Sequence, residues 1–120
     1  MNDYKLTDAE LNLAELIWGH EGLTSAELIK LCEAKFEWKK STTYTLLKRI
    51  EDKGVFENRE GKIMTLISKD SYEATQSKSF VKKTFDGSLP KFLTAFSRHE
   101  KLSEQEIKAL QALIDAHREA

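Results

Sequence analysis

One proline, five glycines and one cysteine are all that this chain of 120 residues holds of three structure-shaping residue types. With so few turn formers, a sandwich or barrel of many short strands could not reverse direction often enough, so helices must carry the fold. The lone Cys32 permits no internal disulfide, which fits a cytoplasmic setting. No apolar run approaches the ~20 residues that a bilayer crossing needs, so no membrane insertion is expected. The opening MNDYKLTDAE is polar and reads as running into a helix, not as a leader. His20, His99 and His117 have no partner at metal-ligand spacing. No nucleophile elbow, phosphate loop or paired catalytic set appears, so no enzyme activity, metal or cofactor is expected.

Nor is there an excess of either charge. The 19 Lys and Arg stand against 20 Asp and Glu, a formal −1. Bulk charge therefore does not announce nucleic acid, but its distribution is uneven. Between Lys39 and Lys62, seven bases (Lys39, Lys40, Lys48, Arg49, Lys53, Arg59, Lys62) meet four acids (Glu51, Asp52, Glu57, Glu60), a local +3 on a remainder of −4. A positive region on an acidic body favours phosphate locally and limits indiscriminate sticking. Hydrophobic content of 40% is enough for a packed core, and the length suits one domain or a small domain with an appendage.

What is present begins with three helix starts of one pattern. Leu6-Thr7-Asp8-Ala9-Glu10-Leu11, Leu23-Thr24-Ser25-Ala26-Glu27-Leu28 and Leu102-Ser103-Glu104-Gln105-Glu106-Ile107 each place a hydroxyl three residues before a glutamate. The hydroxyl accepts the N3 amide, the glutamate reaches back to the cap amide, and the leading Leu staples onto the apolar residue at N4. The first helix is predicted from Thr7 to Trp18, with Leu11, Ala14, Ile17 and Trp18 for the core. The second runs from Thr24 to about Ala34 and buries Leu28, Leu31 and Cys32. A short loop carrying Phe36 and Trp38 leads to a third, roughly Ser41 to Lys53, stopped by Gly54.

Then the period changes. Val55–Arg59 and Lys62–Ile67 flank Glu60-Gly61, a two-residue turn with glycine, and together predict a β-hairpin. Three helices followed by a hairpin is the order of a winged helix-turn-helix, expected over residues 1–70. Residues 71–120 return to helix: one segment over Ser71–Phe85, a break at Asp86-Gly87, a second capped by Ser88 with Pro90 in its first turn, and a third from Ser103. This region carries Phe80, Phe85, Leu89, Phe92, Leu93, Phe96, Ile107, Leu110, Leu113 and Ile114. Roughly 50 residues cannot cover so many large apolar groups alone, and a second copy is the natural cover. The fold class expected is mainly α with a small wing: an N-terminal winged helix-turn-helix plus a C-terminal helical dimerisation region.

The third helix raises the functional question. On a helical wheel Thr43, Leu46, Leu47 and Ile50 cluster on one side, while Ser41, Tyr44, Thr45, Lys48 and Asp52 lie opposite and Thr42 and Arg49 flank them. Short hydroxyls near a helix start, followed by longer cations, suit a helix that enters the major groove. Lys39 and Lys40 stand where a helix start favours phosphate, and Arg59 and Lys62 put cations at the hairpin tip. The plain alternative is a solvated helix face and ordinary turn charges. Against it, three Thr within four residues serve helix stability poorly.

With those residues in view, the chain resembles the penicillinase-repressor family (BlaI/MecI-type regulators and the related CopY branch) along essentially its whole length. That length includes the tail from Ser79 to Ile114, and the most specific piece is Trp38 followed by Thr42, Thr45-Leu46-Leu47, Arg49 and the Lys53-Gly54 helix stop. The resemblance implies a homodimeric repressor that binds a palindromic double-stranded operator. Thr42, Thr45, Lys48 and Arg49 match the reading positions, with Lys39 and Lys40 at the entrance. In antibiotic-responsive members a membrane sensor protease triggers cleavage of an Asn-Phe bond in the dimerisation region, and the matching pair here is Ala95-Phe96. Where the family often has Ser-Pro after the Trp, this chain has Lys39-Lys40, so Ser41 or Thr42 is expected to cap the helix. The paired cysteines of the copper-sensing branch are absent. Two further readings stay open on the residues alone: a winged-helix protein-interaction module, and a regulator gated by a small molecule held among Phe80, Phe85, Phe92 and Phe96.

Overall fold

The structure, a computed structural model, describes residues 4–120; Met1–Asp3, where the expected first domain begins, lie outside the described residues. In chain order the elements are α1 (Asp8–Trp18), α2 (Ser25–Phe36), α3 (Lys40–Asp52), β1 (Phe56–Arg59), β2 (Lys62–Thr65), α4 (Lys69–Phe85), α5 (Leu89–His99) and α6 (Glu104–Glu119). The protein is therefore mostly helical with one small antiparallel hairpin, the arrangement of a winged helix-turn-helix. Two compact units divide between Ser79 and Phe80, so α4 contributes to both.

The three capping boxes form as their residues dictate. Thr7, Thr24 and Ser103 each accept the amide of the glutamate three residues on, and each glutamate answers the cap's own amide. α2 runs two residues past the expected Ala34 and takes in Phe36. It stops because Glu37 turns left-handed at φ 58 and closes the last turn onto Cys32 and Glu33 carbonyls. Phe36 then packs its ring 4.6 Å from that of Trp38.

The core of the first unit comes from all three helices and the wing: Leu13, Ala14, Leu16 and Ile17; Leu23, Leu28 and Cys32; Leu46, Leu47 and Ile50; Val55, Phe56 and Ile63. Burying a side chain such as Leu28 or Ile50 contributes about 1.5–3 kcal/mol. In α1 the stripe differs from the expected one. Leu13 and Leu16 are buried, Leu11 is only half-buried, and in α2 Leu31 is likewise half-buried.

The hairpin turn Glu60-Gly61 has φ of 50° and 88°, matching the right-handed strand twist as two-residue hairpin turns do. The register pairs Phe56 with Thr65 and Arg59 with Lys62. The strands are shorter than expected, because Leu66 and Ile67 leave the ladder to donate their amides to the Val55 carbonyl. The hairpin is not left isolated. The chain before α2 adds a bridge to it, with Ser25 N–H donating to the Gly61 carbonyl at 2.8 Å and Ile63 N–H to the Leu23 carbonyl at 3.0 Å. From the α3 side, Glu51 accepts the Asn58 amide at 2.8 Å. Trp18 closes the unit: its indole donates to the Ile67 carbonyl, and its ring packs 5.5 Å from Phe56 and 5.4 Å from Tyr72.

Where α2 and α3 cross, the Thr43 hydroxyl is fully buried and finds no hydrogen-bond partner of good geometry. Its neighbour is the Cys32 thiol, which burial pushes to a higher pKa and the Thr43 hydroxyl pulls back only in part. A buried hydroxyl without a partner costs about 1 kcal/mol or more. Thr43→Val keeps the branched shape and removes that cost. Thermal denaturation is expected to show a rise of about 4–8 °C per kcal/mol recovered; a fall would mean that the hydroxyl is satisfied after all.

Candidate nucleic-acid interface

α3 divides cleanly into two faces. Thr43, Leu46, Leu47 and Ile50 are buried, while Ser41, Thr42, Tyr44, Thr45, Lys48 and Arg49 are all exposed. The inner face fixes the helix against α1 and α2, so the outer face is presented on a rigid support rather than on a loop.

The start of α3 departs from expectation. The helix begins at Lys40 with Lys39 as its N-cap, and no side chain caps it. Ser41 and Thr42 do not cap because both already lie within the helical first turn. Their hydroxyls stand on an exposed face beside Lys39 and Lys40, both exposed as well. Lys40 arches over the Tyr44 ring at 5.7 Å. The Thr45 hydroxyl donates to the Ser41 carbonyl at 2.9 Å, which commits its proton and leaves its methyl and lone pairs for an outside partner.

Two residues that the sequence did not assign to this face join it. Trp38 and Ala9 line, with Ser41, Thr42, Thr45, Leu46 and Arg49, an open hollow of about 390 Å³. Ala9 arrives there because α1 packs across α3, and nothing local in its sequence signals that.

The cations are not equivalent. Lys48 lies 3.5 Å from Asp52 one turn along α3, both well exposed. Arg59 is held by Glu57 at 3.0 Å. Lys62 sits opposite Arg59 across the hairpin and is exposed. Lys53, counted in the positive region from sequence, serves a different end. It pairs with Glu10, which is only 2% exposed, and donates to the Lys5 carbonyl at 2.7 Å. Burial by itself would raise the Glu10 pKa, but hydrogen bonds from Lys53 and the Thr7 amide, with the Lys53 charge, hold it below the ordinary 4.5. That pair ties the start of α1 to the end of α3.

In the second unit, α5 and α6 contain no buried residue. Phe80, Leu89, Phe96, Ile107, Leu113 and Ile114 are each 44–57% exposed. Phe80, Phe85 and Phe92 form a ring cluster with centroids 5.4–5.9 Å apart. Phe92, Leu93, Phe96 and Leu110 line an apolar hollow of about 320 Å³ with Leu102, Glu106 and Ala109. The Ala95-Phe96 bond lies inside α5, with Ala95 half-buried. Among the described residues no helix is long and apolar enough to cross a membrane, and no three His, Cys, Asp or Glu could hold a metal ion.

A three-helix unit with a hairpin wing, and a third helix that turns hydroxyls and cations outward, defines a winged helix-turn-helix protein. The family model described as "Penicillinase repressor" matches residues 6–116, and the chain belongs to that family. It is similar to a penicillinase repressor of Bacillus licheniformis, 28% identical over 118 residues that cover 95% of this chain and 92% of the relative. It is also similar to the methicillin resistance regulatory protein MecI of Mammaliicoccus sciuri, 24% identical over 116 residues, covering 93% and 94%. A penicillinase repressor of Staphylococcus aureus matches at 21% over 115 residues, covering 92% and 91%. The family is one of transcriptional repressors, not of enzymes, and DNA binding goes with membership.

Proposed function

We propose that the protein is a cytoplasmic homodimeric repressor that reads a palindromic operator with α3. The observation that carries this reading is the outward face of α3: six polar side chains exposed on a helix whose other side is locked into the core. Ser41, Thr42, Tyr44 and Thr45 meet base edges in the major groove, the Thr45 methyl being suited to thymine. Lys39, Lys40, Lys48, Arg49 and the wing cations Arg59 and Lys62 hold phosphates and set the register.

Two copies pair through the second unit. Phe80, Phe85, Leu89, Phe92, Leu93, Phe96, Ile107, Leu110, Leu113 and Ile114 supply the apolar contact, and the absence of any buried residue in α5 and α6 supports it. Pairing then fixes the half-sites a whole number of helical turns apart, ~34 Å per turn. Release follows an inducing signal that undoes this pairing. Where the signal is a sensor protease, Ala95-Phe96 is the bond that matches the cleaved one, and α5 must open locally before it can be cut.

Fluorescence anisotropy on a duplex from upstream of the protein's own gene, against a scrambled duplex at several salt concentrations, tests the reading. Selective binding that weakens steeply with salt is expected. Thr45→Ala should narrow the preference for operator by about five- to tenfold. Lys48→Ala should weaken both duplexes alike and flatten the salt slope by about one unit. Wild-type affinity and selectivity in both variants would remove α3 from the interface, and no binding at low salt would leave a protein-interaction module.

A further inference from the structure

Glu57 already engages one of the two wing cations that are proposed to hold phosphate. Its Oε2 accepts from Arg59 Nε at 3.0 Å and lies 3.0 Å from a terminal guanidinium nitrogen, so one carboxylate oxygen engages two donors. The two residues are two apart on β1 and so share one face of the strand. The register explains why they meet. Arg59 pairs directly with Lys62, and two like charges across a hairpin repel. Glu57 relieves that repulsion. The whole hairpin from Phe56 to Thr65 carries Arg59 and Lys62 against Glu57 and Glu60, so its formal charge is zero. As it stands, the wing offers DNA no net attraction.

We infer that Glu57 attenuates the wing, competing with DNA for Arg59 so that any phosphate must take the guanidinium over from it. The inference rests on the proposed DNA-binding reading. The pair is open to exchange, since the side chains are 64% and 45% exposed and such surface pairs are weak. Exchange has a consequence, however: once Arg59 moves to a phosphate, Glu57 is left as an unpaired anion beside the duplex. A phosphate caught loosely on unrelated DNA gains little over the carboxylate it displaces. A phosphate presented in register, with α3 seated in its groove, can take the planar fork through two hydrogen bonds and outcompete it.

The test compares Glu57→Gln, Glu60→Gln, Arg59→Gln and the Glu57→Gln/Arg59→Gln pair on the upstream and scrambled duplexes. Glu57→Gln is expected to raise affinity for scrambled DNA about five- to tenfold and steepen its salt slope by about one unit. The upstream duplex, on which the guanidinium does transfer, should gain at least as much, because there the whole cost of parting the pair is relieved. The gain should vanish in the Arg59→Gln background and should exceed that of Glu60→Gln, which removes the same charge from the same hairpin. Equal gains from Glu57→Gln and Glu60→Gln, or a gain that survives without Arg59, would reduce Glu57 to a general surface charge and overturn the inference. Wild-type protein that binds selectively, with Glu57→Gln unchanged on both duplexes, overturns it while leaving the DNA reading intact. Wild-type protein that binds neither duplex overturns both.

Discussion

On the proposed pairing of two copies, replacing Leu113 with Asp is expected to leave a folded protein that no longer pairs and binds the proposed operator about a hundredfold or more weakly. Leu113 is 57% exposed in the single chain, so an Asp there meets water and costs the isolated unit little. In a pair the same position would bury an unpartnered carboxylate against apolar side chains, which is far more costly. The loss in DNA binding follows from geometry rather than from any lost contact. Two linked reading heads present the second half-site at an effective concentration near the millimolar range, and uncoupling them forfeits a factor of about 10²–10⁴. Sedimentation should show the variant at half the wild-type mass, with unchanged helical circular dichroism. A variant that stays dimeric would move the pairing surface off this stripe of α6.

The second large effect concerns stability. Lys53→Met removes the charged partner of Glu10, a carboxylate only 2% exposed, and leaves that charge to the Thr7 amide. Breaking a fully buried pair from one side costs about 3–5 kcal/mol. Because the Lys53 side chain is 33% exposed, water replaces part of its contribution, and about 2 kcal/mol is expected. Chemical denaturation measures it directly. The sign of the pH dependence follows from the direction of the Glu10 shift. The folded state holds this carboxyl below 4.5, so the stabilisation is present above the unfolded carboxylate value and lost as pH falls through the folded one. Wild-type protein should therefore lose stability below about pH 4.5, and Glu10→Gln should lose less over the same interval. Identical acid profiles would show that the pair does not govern that limb.

The sequence made the local devices legible. The three capping boxes, the Ser88 cap, the Glu60-Gly61 turn and the inward stripe Thr43, Leu46, Leu47 and Ile50 all depend on neighbours within about four positions, and all formed as expected. What the sequence concealed depends on contacts across the chain. Four apolar residues in α1, Leu11, Leu13, Leu16 and Ile17, fit more than one stripe, and only packing into the shared core selects Leu13 and Leu16 over Leu11. α2 ends at a left-handed glutamate, not at a glycine, so no composition cue marked its end. Glu10 looked like a capping residue and Lys53 like a member of a basic patch; their pairing spans 43 positions. The outward face of α3 was readable as a list of residues. That Ala9 and Trp38 line a hollow beside it was not, because Ala9 comes from another helix.

The placement of the two tryptophans gives the protein a pair of built-in optical probes. Trp18 is pinned by its indole hydrogen bond and sandwiched between Phe56 and Tyr72, so its emission is tied to the integrity of the first unit's core. Trp38 lies against Phe36, lines the hollow beside Ser41 and Thr42 and packs on the same core, so its emission should follow both the fold and a duplex seated on α3. Folding and occupancy thus acquire native signals without any label: a change at both indoles marks unfolding, a change at Trp38 alone marks occupancy.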